Sequence, residues 1–283
     1  MKVTLFTCPL PFEGHRGVIQ RNAITSWTMQ KPRPEIILIG EDRGTKEICE
    51  QLDLIHQPDV RRNEYNTPLV DSVFQNAEAI ASNNILCYVN SDIILLSDFF
   101  KALNEVEKKM SDFFLIGGRW DINVDRLLDF NDYYEETLKK DVQNKGKLHA
   151  PTGKDYFVFK KGFYKIIPPF AIGRGMWDDW LVYYARKRKS AVIDITNSVT
   201  AIHQNHDYIH ISMKSNDSFR NKETEINKVY AGKTIFGENR YSIDDANYML
   251  TNNCIIRKSS IYIFYRFLYR FFSQIYMVIK NGV

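Results

Sequence analysis

Short apolar segments alternate with amphipathic segments through the first 90 residues of the chain. Nearly continuous apolar runs predict buried strands at residues 3–7, 35–40, 54–56 and 85–89, because strands covered on both faces need few polar side chains. Between them, apolar positions three or four residues apart predict helices at residues 19–29, 45–52 and 69–82. This alternation predicts an α/β fold with a parallel sheet.

The carboxyl ends of the predicted strands carry polar residues. In open parallel sheets, ligands bind beyond these ends, which here are residues 7–9, 40–42 and 90–92. After residue 110 the pattern is more mixed, with strands predicted at 113–117, 156–160 and 191–195 and a helix beginning near Asp179. Without an internal repeat or a low-complexity linker, one continuous unit to about residue 250 is the simplest interpretation.

Composition changes this picture only at the carboxyl end. The chain is 44% hydrophobic and 25% charged, which is typical of globular proteins. Of 38 basic residues, five lie in residues 257–283, which contain no acid, so the net charge of +4 belongs to the tail. We predict no nucleic-acid partner. Four dispersed cysteines without a CxxC pair favour a reducing, cytoplasmic setting.

Residues 261–279 are rich in aromatic and aliphatic side chains and predict a C-terminal amphipathic helix. Arg266 and Arg270 lie four residues apart, and Ser273 and Gln274 continue this narrow polar stripe. Each arginine would make a membrane-spanning helix costlier by roughly 2.5–3.5 kcal/mol. We therefore expect peripheral association with the inner face of a membrane, the alternative being a helix docked on the main domain or on a partner chain.

Three polar residues, Asn90-Ser91-Asp92, follow the predicted strand at 85–89 and precede another apolar stretch. A carboxylate at this position can bind a hard cation, and such a cation can neutralise a diphosphate. The alternative is a turn in which Asn90 or Asp92 only caps backbone groups.

Two adjacent carboxylates, Asp178 and Asp179, lie between Trp177 and Trp180 after a glycine-rich loop. Carboxylates provide acid/base chemistry, and exposed indole rings provide flat surfaces on which sugar rings can stack. The alternative is that Asp178 caps the helix that follows while both tryptophans pack inside the protein.

Histidines cluster late in the chain, at His203, His206 and His210. Imidazole can complete the coordination of a cation that is held mainly by oxygen ligands. The alternative is a polar surface loop or histidines hydrogen-bonded within the fold. The sequence contains no GxxxxGK, GxGxxG or GxSxG motif, which leaves P-loop, dinucleotide-binding and serine-hydrolase chemistry unsupported.

The order and spacing of these motifs resemble those of the GT-A glycosyltransferase superfamily. Asn90-Ser91-Asp92 looks like its DXD motif, Trp177-Asp178-Asp179 like its acidic xED-type motif, and His203 or His206 like its metal-binding histidine. The stretch 151–159 is also similar to segments of bacterial and plant members. The resemblance covers about residues 1–210 and implies a Rossmann-like, mostly parallel sheet flanked by helices.

The resemblance implies a catalytic domain over residues 1–250. Residues 1–95 would bind the nucleotide, residues 96–210 would contain the acceptor and catalytic part, and residues 255–283 would form the basic aromatic tail. Asp92 would bind a divalent cation, Mn²⁺ or Mg²⁺, with His203 or His206 completing the site. Asn90 takes the place of the first acid of DXD, so Asp92 is the only carboxylate of this motif.

A nucleotide-sugar donor is also implied, with a UDP-sugar favoured. Asn90 and Ser91 would then lie near the ribose and diphosphate of the donor. Thr7, Glu41 and Pro68, chosen from strand ends and their flanks, are further candidates for nucleotide contacts.

For catalysis, the resemblance implies that Asp179 is the general base of an inverting transfer and that Asp178 orients the acceptor. Trp177, Trp180 and Asp155 are the candidates for acceptor binding. The acceptor would be a glycan or a lipid-linked glycan, as in polysaccharide biosynthesis. The alternatives are a sugar-1-phosphate nucleotidylyltransferase and a non-catalytic carbohydrate-binding protein.

Overall fold

The computed structural model describes residues 2–206, 218–234, 237–238 and 241–259, and residues 261–262, 264–266, 268–269 and 272 of the C-terminal segment. The strands are β1 (Val3–Thr7), β2 (Glu35–Ile39), β3 (Ile55–Gln57), β4 (Ile85–Val89), β5 (Ile93–Ile94), β6 (Phe113–Ile116), β7 (Trp120–Asn123), β8 (Lys147–Leu148), β9 (Tyr156–Lys160), β10 (Ala191–Asp194), β11 (Ile202–Asn205), β12 (Lys233–Thr234), β13 (Gly237–Glu238), β14 (Tyr248–Thr251) and β15 (Cys254–Arg257). The helices are α1 (Gly14–Thr28), α2 (Thr45–Leu52), α3 (Val70–Ile80), α4 (Ser97–Lys109), α5 (Tyr134–Lys145), α6 (Trp177–Lys187) and α7 (Ser218–Ala231).

A nine-stranded sheet forms the centre of the protein, in the order β15-β14-β10-β6-β9-β4-β1-β2-β3. Five of its eight pairings are parallel, and β9 pairs antiparallel with both β4 and β6. Successive residues of a strand point to opposite faces, so Phe6 and Ile37 belong to the apolar core on one face and Leu5 and Leu38 to the core on the other. The predicted α/β fold with a mostly parallel sheet is confirmed.

Four strands that follow β4 in the sequence form a smaller sheet in the order β5-β11-β7-β8. Its central strands β7 and β11 pair in parallel, in a register that places Asp121 opposite His203. β5 pairs antiparallel with β11, and His203 is opposite Ile93. This sheet joins four segments that are distant in the sequence.

Most predicted elements of the first half are present. β1, α2, β4 and β9 have the predicted bounds, whereas α1 begins at Gly14, five residues before its predicted start. The sequence interpretation did not include α4, α5 or β7. Strands of the predicted nucleotide-binding part and of the predicted acceptor part belong to the same nine-stranded sheet.

The nine-stranded sheet extends past the predicted boundary at residue 250, because β15 ends at Arg257. The described residues between 261 and 272 are helical. Arg266, predicted to face lipid, instead lies 3.6 Å from Asp244 and 3.5 Å from Asp245 of the main domain, a correction that follows from charge pairing. Arg270, Ser273, Gln274 and the rest of the predicted helix lie outside the described residues. Within the described part of the chain, no helix has the length and apolarity needed to cross a bilayer.

Candidate active site

The Asn90-Ser91-Asp92 segment forms the turn between β4 and β5. Asn90 donates a hydrogen bond from Nδ2 to Asp155 Oδ1 at 2.7 Å, and Ser91 donates one from Oγ to Gln20 Oε1 at 2.8 Å. These two side chains are therefore held by neighbouring protein groups. The carboxylate of Asp92 points instead toward two imidazoles.

Asp92, His203 and His206 form what we call the metal-ligand cluster. Asp92 Oδ2 lies 3.6 Å from His203 Nε2 and 3.3 Å from His206 Nε2. One ligand atom of each residue lies within 4.8 Å of the others. Pairing of β11 with β5 and β7 places His203 here, so the structure brings together the three residues that the sequence suggested as metal ligands.

The cluster fits a divalent cation on two observations. Asp92 Oδ1 is buried and has no hydrogen-bond partner among the described residues, which is an arrangement that proteins avoid unless a ligand or ion satisfies the oxygen. Burial acts to raise the pKa of Asp92, but the imidazoles of His203 and His206 hold it well below its usual range. An ionised carboxylate with two imidazoles is a suitable donor set for Mn²⁺ and similar ions.

Asp121 lies behind the cluster. Its carboxylate is 3.1 Å from His203 Nδ1, 2.7 Å from His149 Nδ1 and 3.2 Å from Arg119 Nε. With a cation bound, a carboxylate beside Nδ1 would favour the tautomer whose Nε2 lone pair is available to ligate the cation. Burial acts to raise the pKa of Asp121, but His149 and Arg119 lower it below its usual value. The sequence interpretation missed Arg119 and Asp121. Their only signal in the sequence was one charged residue on each side of Trp120, a pattern typical of a short strand.

Asp155 was predicted to bind the acceptor, and the structure corrects this. It is buried, and its Oδ2 accepts a hydrogen bond from Arg119 at 2.7 Å while its Oδ1 faces Asn90. Burial raises the pKa of Asp155, with Arg119 opposing the rise. Both oxygens are therefore used within the protein, and Asp155 supports the turn that carries Asp92.

Asp178 and Asp179, which we call the acid pair, lie in the first turn of α6, where the helix dipole favours negative charge. Lys154 Nζ lies 3.1 Å from Asp178 Oδ2 and 2.7 Å from Asp179 Oδ1. The sequence interpretation missed this lysine. Before the helix, Met176 has a φ of 86°, a conformation that favours glycine and that costs about 1–3 kcal/mol in other residues. Such strain is typical of segments that hold functional groups in place.

Trp177 and Trp180 were predicted to stack on acceptor sugars, and this prediction is wrong. Both indoles belong to the apolar core and are only 6% and 8% exposed. Trp177 packs edge-on against Tyr88, and Trp180 packs against Tyr184 with ring centroids 5.2 Å apart. The packing alternative considered for these two residues is correct, and they anchor α6 rather than present faces to a ligand.

The three other nucleotide candidates lie at separate strand ends and flanks. Thr7 ends β1, and its hydroxyl is buried without a hydrogen-bond partner in the described residues. β1 lies between β2 and β4, the point of the sheet where strand order reverses and where ligands of such sheets bind. Glu41 is exposed after β2, and Pro68 precedes α3 and accepts a hydrogen bond from Ile172 N at 3.0 Å.

Cavities are lined by residues of the smaller sheet and by residues of α7. One, of about 330 Å³, is lined by Asp121 and Asn205 and so lies against the smaller sheet. The other, of about 400 Å³, is lined by Tyr65, Glu223 and Tyr230. Glu223 is fully enclosed and receives hydrogen bonds from Asn63 at 2.6 Å and Arg174 at 2.7 Å, which tie α7 to the loops before α3 and α6.

The sequence matches no protein-family model and no curated protein. Solved structures nevertheless share its architecture. Residues 1–349 of TarS from S. aureus, in complex with UDP-GlcNAc, have a TM-score of 0.52 at 12% identity, covering 82% of this chain and 66% of that chain. Glucosyl-3-phosphoglycerate synthase from Mycobacterium tuberculosis, in complex with Mn²⁺, UDP and phosphoglyceric acid, has a TM-score of 0.46 at 14% identity, covering 73% and 72%.

The likeness to TarS shows that this chain has the GT-A fold. The fold expected from the motifs is thereby confirmed. Fold alone does not determine the reaction, so the activity has to be argued from the site.

Proposed function

We propose that the protein is a metal-dependent glycosyltransferase that moves a sugar from a nucleotide-diphosphate sugar to a glycan or a lipid-linked glycan. The observation that carries this proposal is the metal-ligand cluster, in which a buried oxygen of Asp92 has no hydrogen-bond partner among the described residues. It follows β4, beside the position where strand order reverses in a GT-A sheet.

Asp92 and His203 would hold the cation, with His206 as a third ligand. A divalent cation bound there supplies positive charge that neutralises the diphosphate leaving group. A UDP-sugar is the favoured donor, since both structural neighbours were solved with UDP or UDP-GlcNAc and one with Mn²⁺.

Donor contacts are proposed for Thr7, Glu41 and Pro68 and for the turn Asn90-Ser91. The buried hydroxyl of Thr7 supports its role, because a ligand group at the end of β1 would satisfy it. The side chains of Asn90 and Ser91 are already engaged, so they contribute chiefly by fixing the turn.

Asp179 is proposed as the general base of an inverting transfer. Its carboxylate accepts the proton of the acceptor hydroxyl while that oxygen attacks the anomeric carbon and the nucleoside diphosphate leaves. Asp178 orients the acceptor from the same helical turn. The anchored indoles of Trp177 and Trp180 keep this turn in place.

A hydrolysis screen tests the proposed function. Purified protein is incubated with UDP-glucose, UDP-GlcNAc and other nucleotide sugars, with Mn²⁺ or with EDTA, and released nucleoside diphosphate is measured. We expect slow hydrolysis of a preferred donor that requires Mn²⁺. Pyrophosphate release from a nucleoside triphosphate and a sugar 1-phosphate would instead support the nucleotidylyltransferase alternative, and neither reaction would support carbohydrate binding alone.

We also propose that the C-terminal segment attaches the enzyme peripherally to the inner face of a membrane. With Arg266 paired to the main domain, the apolar side chains Ile261, Phe264, Tyr265, Tyr269 and Phe272 remain 55–81% exposed on the described helical residues. Aromatic side chains of this kind are suited to the interface between lipid headgroups and acyl chains. The site would then lie close to lipid-linked acceptors.

Co-sedimentation with vesicles containing phosphatidylglycerol tests this attachment. Full-length protein is compared with a chain ending after Ser259, which keeps β15, and with a Phe264→Ser/Tyr265→Ser variant. We expect only the full-length protein to sediment strongly with the vesicles. Equal binding by all three proteins, or no binding at low salt, would contradict membrane attachment.

A further inference from the structure

Lys154 is a lysine enclosed by protein, with a side chain that is 0% exposed. An ammonium group has three N–H donors. Lys154 donates hydrogen bonds to Asp179 Oδ1 at 2.7 Å and to the carbonyl oxygen of Thr152 at 3.0 Å, and its ammonium lies 3.1 Å from Asp178 Oδ2. The enclosed ammonium is therefore engaged by three protein oxygens rather than exposed to the phosphates of a donor nucleotide.

The next residue, Asp155, faces the other half of the site. Its carboxylate accepts hydrogen bonds from Asn90 and Arg119, both at 2.7 Å, and its backbone carbonyl accepts one from Asn90 N at 2.8 Å. Arg119 contacts Asp121, which in turn lies beside His203. Two adjacent side chains therefore contact the acid pair on one side and the support of the metal-ligand cluster on the other.

The ammonium also balances charge. Two carboxylates held close together repel, and one of them takes up a proton unless a cation lies between them. Burial acts to lower the pKa of Lys154, but Asp178 and Asp179 raise it above its usual value, so the ammonium remains charged. Among the described residues, the Tyr88 hydroxyl on β4 also senses Asp178. Burial raises the pKa of Tyr88 well above its usual value, so this hydroxyl is neutral.

We infer that Lys154 is a positioning residue that holds Asp178 and Asp179 side by side in the ionised form and, through Asp155, fixes the acid pair relative to the metal-ligand cluster. The catalytic consequence rests on the proposed transferase function, because only an ionised Asp179 can take a proton from an acceptor. The charge-balancing role can be tested without any substrate.

The test compares thermal unfolding of the ligand-free full chain, Lys154→Met and Lys154→Met/Asp178→Asn between about pH 5 and pH 8. Without the ammonium, the folded acid pair binds a proton that the unfolded chain has lost, so stability falls as pH rises. We expect the Tm of Lys154→Met to lie further below that of the unmodified chain at pH 8 than at pH 5. The double variant, with a single carboxylate, should show a Tm difference that does not change with pH.

A Tm difference of equal size at every pH for Lys154→Met would overturn the inference. If that variant fails to fold, folding of the double variant supports the charge-balancing role, and failure of both contradicts it. For a UDP-sugar that the unmodified chain hydrolyses, the kcat of hydrolysis should be about 100-fold or more lower in Lys154→Met. Mn²⁺-dependent UDP binding by this variant should be unchanged. Absence of donor turnover by the unmodified chain would count against the proposed function but not against the pH-dependent result.

Discussion

The metal-ligand cluster and the acid pair balance their charges in opposite ways. At the cluster, one oxygen of Asp92 is buried without a hydrogen-bond partner in the described part of the protein. At the acid pair, both carboxylates contact an enclosed ammonium that also donates a hydrogen bond to the carbonyl oxygen of Thr152. The metal-ligand cluster therefore has a buried oxygen that a bound cation could satisfy. At the acid pair, the positive charge is already supplied by Lys154.

This difference separates two kinds of functional site. An unsatisfied buried oxygen costs folding free energy, which a protein can recover when an ion binds. A satisfied ion pair instead preorganises carboxylates before any substrate arrives. We therefore expect changes at the cluster to affect ligand binding and changes at the acid pair to affect the chemical step.

The largest effect is expected for Asp92→Asn. Loss of the only carboxylate in the cluster should weaken Mn²⁺-dependent UDP binding by more than about 100-fold and abolish donor hydrolysis. This exceeds the loss of about 10- to 100-fold that is typical when a residue supporting a metal ligand is removed. The fold should remain intact, although the Tm should fall at neutral pH, because the ion pairing of Asp92 with His203 and His206 is lost. Calorimetric titration of UDP with and without Mn²⁺ checks this, and unchanged binding would remove the main support for the proposed function.

Asp179→Asn should lower kcat by about two to four orders of magnitude, because an amide cannot take the acceptor proton. Binding of UDP with Mn²⁺ should be unaffected. Asp178→Asn is the matched control in the same helical turn, and its effect on kcat should be smaller. A more damaging Asp178→Asn would show that the two roles have to be exchanged.

Asp121→Ala should weaken Mn²⁺ affinity by about 10- to 100-fold, because His203 loses the carboxylate that favours its ligating tautomer. Asp125→Ala, an exposed acid on the same segment, serves as control for the loss of negative charge. Metal titration monitored by UDP binding compares the two variants. Equal losses in both would indicate a general electrostatic effect rather than orientation of His203.

The smallest effect on stability and binding is expected at the amino-terminal ends of the strands, away from the site. There Glu35, the first residue of β2, accepts hydrogen bonds from Thr4 and Ser82. Burial acts to raise the pKa of Glu35, but these hydrogen bonds lower it below its usual value. Glu35→Gln should cost about 1 kcal/mol of stability and leave UDP binding unchanged.

The sign of the pH dependence follows from the lowered pKa of Glu35. Its stabilisation is present above the unfolded-state pKa of about 4.3 and is lost as pH falls through the lower folded-state pKa. The Tm difference between the unmodified chain and Glu35→Gln should therefore narrow from neutral pH to about pH 3. A constant difference would mean that the carboxylate charge contributes nothing there.

Sequence patterns predicted the parts of the fold in which local periodicity and global packing agree. β1 and β4 are continuous apolar runs buried on both faces, and Asp92 follows directly from the end of β4. α5 was missed because only Leu138 and Val142 are buried along it, too few to produce a periodic signal. α4, by contrast, buries Phe99, Leu103 and Val106 at helical spacing, so this helix is predictable from the sequence.

The supporting residues could not be predicted because their partners are distant in the sequence. Lys154 lies in an irregular loop, and its role depends on the acid pair more than 20 residues later. Arg119 and Asp121 acquire meaning only when β7 pairs with β11, about 80 residues further on. For Trp177 and Trp180 the sequence predicted a binding role where the structure shows packing. Aromatic residues three apart on a helix are also the ordinary pattern of a buried face.

The parallel pairing of β7 with β11 has a consequence for folding fidelity. Side chains alternate between the faces of a strand, so a slip of one residue would turn His203 and Asp121 to opposite sides and leave no cation site. A cation that binds only the in-register arrangement would select it from competing alignments during folding and raise its population by mass action. The same ion would thus favour the correct register of β7 and β11 in addition to its proposed role in the reaction.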